Sequence, residues 1–325
     1  MTLSGFENWP TDSRALVLEQ QALPPRLSPW RLALRVTLRK PLGTFSALII
    51  VLVFGAAMFA GWPPLVDMKD AQPFLARYEA EESFFVYDEA KFMEVGLQKE
   101  APSAAHWLGT DDQARDTWSR IIWGARRSLR VGLGALAIGT IFGVFIAFIS
   151  AYSRGLTDLI IQRIMDAFQA FPPILFLILM VTVTEPTENW LTFALAVISV
   201  PSVSRIVRSV IITTRDMPYI EAARAIGAGG PRIMLRHILP NVTAPIIIIF
   251  SIGVGVVILA EASLSFLGLG PPGVSWGEML NQGRLFVLTS PWQALFSGMA
   301  ITLAVLAFNL AGDALRDILD PRLRI

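Results

Sequence analysis

Apolar residues in this chain gather into six long runs that contain no charged side chain. They cover 41–66, 131–153, 167–184, 189–204, 241–260 and 285–312. The hydrocarbon core of a bilayer is about 30 Å thick and takes about 20 apolar residues as helix. The pattern therefore predicts six transmembrane helices and an all-α, polytopic membrane fold. The fourth run is the shortest and ends at Arg205 and Arg208, whose long side chains can reach the interface and so mark a boundary. The third contains Phe171-Pro172-Pro173, which predicts a bend or break, because proline removes a backbone donor. The first run follows a polar arm, is long for a signal sequence and lacks a small-residue cleavage site after it, so it reads as a retained helix.

Charges in the flanks orient the runs. The arm at 1–40 carries Arg26, Arg31, Arg35, Arg39 and Lys40 in a stretch without acids. The 201–240 stretch carries Arg205, Arg208, Arg215, Arg224, Arg232 and Arg236 against Asp216 and Glu221. Basic loops stay in the cytoplasm, so both stretches and both termini are expected there. The 67–127 segment has twelve acids against eight bases and is expected outside. Arg126, Arg127 and Arg130 oppose the rule locally. The expected organisation is an arm at 1–40, a first helix at 41–66, an external segment at 67–127, and a core at 128–325. That core holds five helices and a cytoplasmic loop at 215–240. Ala135, Gly139, Gly143, Ala147 and Ala151 recur every fourth residue, a small-residue stripe that lets helices approach closely in lipid.

Composition narrows the chemistry. The chain is 54% hydrophobic and 16% charged, where soluble domains are about 25% charged. It has no cysteine and only two histidines, His106 and His237, so thiolate chemistry is excluded and a histidine-ligated metal centre is not expected. A net charge of +1 gives no nucleic-acid signature. Neither histidine lies in an apolar run, no H-E-x-x-H occurs, and no Gly-Lys pair exists to complete a phosphate-binding loop. No catalytic residue, metal ligand or cofactor site is expected. An ion-coupled carrier would need intramembrane carboxylates, and only Glu261 is well placed, with Asp166 at the entry of the third helix.

The informative segment is 219–240. Glu221 to Ile226 reads as a short helix, with Gly227 as a left-handed stop. Gly229 and Gly230 make a turn, and Pro231 suits the start of a second helix. That second helix runs into Pro240 and the fifth apolar run. A short helix held between two corners is a shape another protein can grip.

The pattern E-A-A, three residues, G, nine residues, I-x-L-P is the signature of bacterial ABC importer permeases. The chain matches it at Glu221, Ala222, Ala223, Gly227, Leu239 and Pro240, with His237 in place of the isoleucine. Leu108-Gly109-Thr110-Asp111, Arg115-Asp116, Ser119-Arg120 and Gly124-Ala125-Arg126 resemble the entry to the second helix in the peptide/nickel branch of that family. The family usually has glycine before the Arg-Asp pair; Ala114 stands here and argues against a positive φ at that position. Glu261 through Gly270, Ser275-Trp276-Gly277, Phe308-Asn309-Leu310 and Gly312-Asp313 resemble the same branch, in its second-permease form.

The resemblance implies the type I importer permease fold. It also implies a heterodimer with a second homologous permease, two ATPase subunits that bind and hydrolyse ATP with Mg, and an extracytoplasmic solute-binding protein. All of these would sit at the bacterial inner membrane. Glu221, Ala222, Ala223, Arg224 and Gly227 carry over as the ATPase contact. Peptides or similar small solutes are the implied cargo. Glu261 and Ser263 are candidates for the translocation path, though Glu261 can equally bond within the bundle, and Ser263 and Ser265 can serve as interhelical partners. Asp166 with Arg163 reads as an interfacial pair, and Trp276 and Trp292 as an aromatic belt. The competing class is a stand-alone ion-coupled carrier, which predicts an inverted repeat with paired broken helices; the sequence shows no convincing repeat.

Overall fold

Each apolar run seeds a helix, but the helices begin and end where polar contacts allow. In the computed structural model the described residues are 41–59, 98–104, 106–153, 155–183 and 187–319. The basic arm, the acid-rich part of the external segment and the C-terminal Asp320-Pro321 lie outside them. Among the described residues the only strand-like pairing is an isolated bridge between Thr110 and Asp116.

The helices are α1 (Pro41–Phe59), α2 (Thr117–Ser153), α3 (Gly155–Ala170), α4 (Pro173–Val183), α5 (Glu188–Arg215), α6 (Pro218–Ala225), α7 (Gly230–Ile233), α8 (Leu239–Phe266), α9 (Trp276–Arg284) and α10 (Trp292–Leu319). A π-helical turn, Met234–Ile238, joins α7 to α8. Among the described residues, four helical stretches are long and apolar enough to cross a membrane: α2, α5, the continuous run from Gly230 to Phe266, and α10. The pair α3 and α4 counts as at most one further span, because it bends by 85°. That bend falls at Phe171-Pro172, where the sequence predicts it. α1 is apolar but shorter, and its Phe54 meets Phe308 of α10 edge-on at 6.3 Å.

Two boundaries and one side chain differ from expectation. α2 starts at Thr117 rather than near 128, so the last part of the presumed external segment belongs to the bundle. At 1.5 Å per residue α2 is about 55 Å long, well beyond the hydrocarbon thickness. The sixth run begins as turns at 285–289, with Leu288 97% exposed, and becomes helical only at Trp292. Pro291 explains the delay, since its ring is accepted ahead of the first turn but not inside a helix. Trp276 is 2% exposed and donates through Nε1 to the Ile121 carbonyl at 2.9 Å, so it is a core residue and not part of an aromatic belt.

The small-residue stripe is the main contact of the bundle. Ala135, Gly139, Gly143, Ala147 and Ala151 are all buried. A Cβ on Gly139 would strike Ser199 and Ala196 of α5, and one on Gly143 would strike Val203. One apolar cluster joins Leu129, Leu136, Leu191, Leu195, Ile258 and Trp276 towards the start of α2. A second joins Ala147, Ala151, Val207, Ile211, Ile220 and Ile238 towards its end.

The start of α2 is fixed by a buried ionic cluster. Asp111 is 2% exposed. Its Oδ2 accepts from Arg115 Nε at 2.6 Å and from Arg120 Nη1, and its Oδ1 accepts from the backbone N–H of Arg115 at 2.8 Å. Gln282 of α9 accepts from Arg120 Nη2 at 2.9 Å. Arg127 pairs with Glu188 at 3.2 Å and donates to the carbonyls of Pro271 and Pro272. Arg130 lies 3.6 Å from Glu188, and Arg126 sits over the Trp123 ring. The arginines that oppose the charge rule are thus engaged by groups of this chain. Ala114, within the same turn, has φ +61° despite carrying a Cβ. The positive φ survives the replacement of glycine.

Candidate functional site

At the other end of α2 the 218–238 segment folds as expected in outline. Pro218 occupies the first turn of α6, so the helix starts one turn before Glu221. It stops in a Schellman motif. Gly227 has φ +86° and donates to the Arg224 carbonyl at 2.9 Å, while Ala228 donates to the Ala223 carbonyl at 3.0 Å. A Cβ on Gly227 would meet nothing within 4 Å in this chain. Only its dihedral, then, constrains it to glycine here.

Two side chains anchor α6. Ile220 is fully buried in the cluster with Ala147, Ala151, Val207 and Ile211, and Ala223 is 7% exposed. Ile220 therefore seats α6 on α2 and α5, whereas the sequence placed it simply between the fourth and fifth spans. Arg215, just before α6, donates to the Ala151 carbonyl at 2.6 Å and ties the end of α5 to the end of α2. Asn241 donates to Tyr219 Oη at 3.1 Å, tying α8 to α6. The remaining motif residues, Glu221, Ala222, Arg224 and Gly227, are exposed, and Ile226 is 87% exposed. Behind α6 lies a cavity of about 390 Å³ lined by Phe148, Tyr152, Arg215, Arg224, Met234 and Ile238. The exposed Arg224 thus also borders this cavity. His237 is half-buried, and Pro240 continues the helix. Pro240 cannot donate to residue 236, and the preceding π-turn, closed by Leu239 N–H to the Met234 carbonyl, takes up the mismatch.

The two other candidate residues sit elsewhere. Glu261, on α8, is 1% exposed and faces Ser128 of α2. It accepts from Ser128 Oγ at 3.0 Å and Ser265 Oγ at 2.9 Å. Of the alternatives open in the sequence, bonding within the bundle is the arrangement seen. Ser263 donates to the Leu259 carbonyl of its own helix at 2.7 Å.

Sequence reasoning missed the role of α3. Asp166 pairs with Arg163 at 3.7 Å, as expected, but more closely with Arg205 of α5 at 2.6 Å. Asp158 takes Arg208 at 2.8 and 2.5 Å and is also bonded by Ser150. Arg205 and Arg208 are one turn apart on α5, while Asp158 and Asp166 are two turns apart on α3. The spacing is the available signal, but it has meaning only once the two helices are known to lie side by side.

Known proteins resemble this chain over much of its length. Residues 139–325 match the family described as binding-protein-dependent transport system inner membrane component. The chain is 39% identical over 299 residues to the glutathione transport system permease protein GsiD of Pectobacterium atrosepticum, covering 91% of this chain and 92% of that one. It is 39% identical over 300 residues to the dipeptide transport system permease protein DppC of Alkalihalophilus pseudofirmus, covering 92% and 91%. Among solved structures, an inward-facing MetNI methionine ABC transporter superposes with TM-score 0.53 at 18% identity, covering 62% of this chain and 96% of that one. An amino acid ABC transporter with histidines superposes with TM-score 0.51 at 19% identity, covering 62% and 94%. These two support the fold alone. With the whole-length relatives, the family match and the membrane-spanning bundle in agreement, this chain belongs to the binding-protein-dependent transport system inner membrane components, as a permease subunit of an ABC importer and not an enzyme.

Proposed function

We propose that this subunit forms half of the path by which peptides, or a closely similar small solute, enter the cell, and that α6 is the element its ATPase partners grip. The observation that carries the coupling role is the division of α6: Ile220 and Ala223 hold it to the bundle, while Glu221, Ala222, Arg224, Ile226 and Gly227 face outward. The substrate class is supported by the dipeptide and glutathione permeases to which the chain is 39% identical. In this reading a second homologous permease completes the path, and two ATPase subunits bind ATP and Mg. A solute-binding protein delivers the cargo on the face opposite α6. Both termini and the 215–240 loop lie in the cytoplasm.

The coupling role is tested in the complete transporter, reconstituted with its sister permease, ATPases and binding protein. Glu221→Lys reverses an exposed charge and leaves the apolar seat of α6 intact. Solute-stimulated ATP hydrolysis and uptake are expected to fall together by about tenfold, with membrane insertion unchanged. Wild-type levels of both would refute the assignment. Orientation is tested with single cysteines, which have no native background. In intact cells an impermeant thiol reagent should modify Ala101→Cys and spare Leu235→Cys; the reverse pattern inverts the topology.

A further inference from the structure

The faces that α2 and α5 leave open differ in kind. Along α2 between residues 131 and 151 the exposed side chains are Ile138, Ile141, Phe142, Phe145 and Ile149, which suits contact with lipid. On α5 beyond Pro201 the exposed positions include Ser202, Arg205, Ile206, Ser209 and Thr213. Three or four residues apart, they fall within a sector of roughly 100°. Leu191 and Leu195 lie in the same sector one half of the helix earlier, yet they are buried in the cluster that contains Leu177 and Val181 of α4. The 85° elbow at Phe171-Pro172 explains the change. α4 covers the first half of the stripe, whereas α3, before the elbow, reaches the second half through Asp166 and Gln169 and leaves it exposed.

Polar side chains at membrane depth face a bundle interior or a water-filled cavity rather than hydrocarbon. Arg205 stands about 25 Å along α5 from Glu188 at 1.5 Å per residue, within the thickness of a bilayer core. α3 adds polar groups beside this stripe. Asp166 and Arg205 pair at 2.6 Å with their side chains still 46% and 51% exposed. Gln169 Nε2 donates to Ser202 Oγ at 3.3 Å, also in the open. A guanidinium carries five N–H donors, so the bond to Asp166 leaves others for a ligand, and the carboxylate likewise keeps free lone pairs. Side by side, the two charges complement a solute that carries both a carboxylate and an ammonium.

We propose that the open half of α5, with Asp166 and Gln169 of α3, lines the solute path on this subunit. Arg205 takes the carboxylate and Asp166 the ammonium of a zwitterionic, peptide-like solute. The assignment of solute rests on the peptide-importer reading above; the assignment of the lining rests on the exposed polar stripe alone. Glu261, enclosed and bonded by Ser128 and Ser265, takes no direct part.

The test uses the assembled transporter with its binding protein. Ser202→Cys and Ser209→Cys are treated with a charged, water-soluble methanethiosulfonate, with Ile141→Cys and Phe145→Cys on α2 as lipid-facing controls. The two serine positions are expected to react and to lose at least tenfold of alanine-dipeptide uptake on modification, while the controls stay unmodified. Serine positions as unreactive as the controls would mean lipid or subunit contact there, and the lining assignment would fall. In a second arm, saturating alanine dipeptide with binding protein and ATP should slow modification of Ser209→Cys several-fold. That slowing should vanish with Arg205→Gln and return with Arg205→Lys. Protection that is indifferent to Arg205 overturns the zwitterion contact. A wild-type complex that moves no dipeptide removes the solute assignment together with the peptide-importer reading, while the reactivity of the two serine positions still decides the lining.

Discussion

The two ends of α2 use similar residues to opposite effect. Around Asp111 the charges are enclosed: one carboxylate serves two arginines, and Gln282 receives the second of them, so the 106–116 turn, α2 and α9 are locked in one register. Around Glu221 the charges are left outside, and the segment is bounded by Gly227, by the Gly229-Gly230 turn and by a π-turn. A buried ion pair tolerates little change, because removing one partner strands the other in a low dielectric. An exposed charge costs this chain little to change and remains available to another protein. The rigid end defines the frame, and the open end is where work can enter.

The largest effect should come from breaking the enclosed end. Asp111→Asn removes the buried carboxylate that Arg115 and Arg120 share. Removing one partner of a buried pair costs about 3–5 kcal/mol. The variant should melt far below the wild type in detergent, and its yield should drop sharply. An unchanged melting temperature would show that the cluster is not fixing the register.

The open end should behave differently, losing function with its fold intact. Gly227→Val forces a β-branched residue to φ +86°, at about 1–2 kcal/mol, but meets no atom of this chain. Uptake should fall at least tenfold while thermal stability moves little. Gly227→Asn sharpens the point, because asparagine tolerates the left-handed region: it should recover the stability lost by the valine. Any remaining transport defect would then come from bulk against a partner.

Glu261→Gln probes the middle of the bundle. The amide keeps hydrogen-bonding capacity towards Ser128 and Ser265, so uptake should remain substantial and dependent on ATP. Dependence on the proton gradient instead would favour the ion-coupled carrier. The smallest effect is expected for Ala114→Gly, which relieves a positive φ of +61°. Glycine's larger freedom in the unfolded chain opposes that gain. The melting temperature should rise by a few degrees at most, and a fall would mean the alanine packs better than its strain costs.

Particular residues show how much was legible beforehand. Gly227 could be placed at a left-handed stop, because a short helix followed by glycine is a local pattern, and local hydrogen bonds close it. The proline break at 171–173 was legible for the same reason: a missing N–H needs no tertiary context. Trp276 was misjudged, because a tryptophan near a span end serves equally as an interfacial anchor or a core plug; the choice depends on whether Gly124 presents a gap to receive it. Arg205 and Arg208 looked like boundary markers because their carboxylate partners lie some 40 to 50 residues away in sequence.

The sequence by itself determined the solvent of this protein, the approximate number and place of its apolar helices, and the short α6 segment with its glycine stop. Those features follow from composition and from interactions between residues within a turn or two of one another. Tertiary structure decided which charges are hidden and which are offered. Asp111 and Glu221 are both acids beside arginines in the sequence, and nothing local says that one is sealed under α9 while the other is left open. Burial is set by helices that meet across more than a hundred residues of chain, and the free energy of a charge depends on that burial more than on its neighbours along the chain.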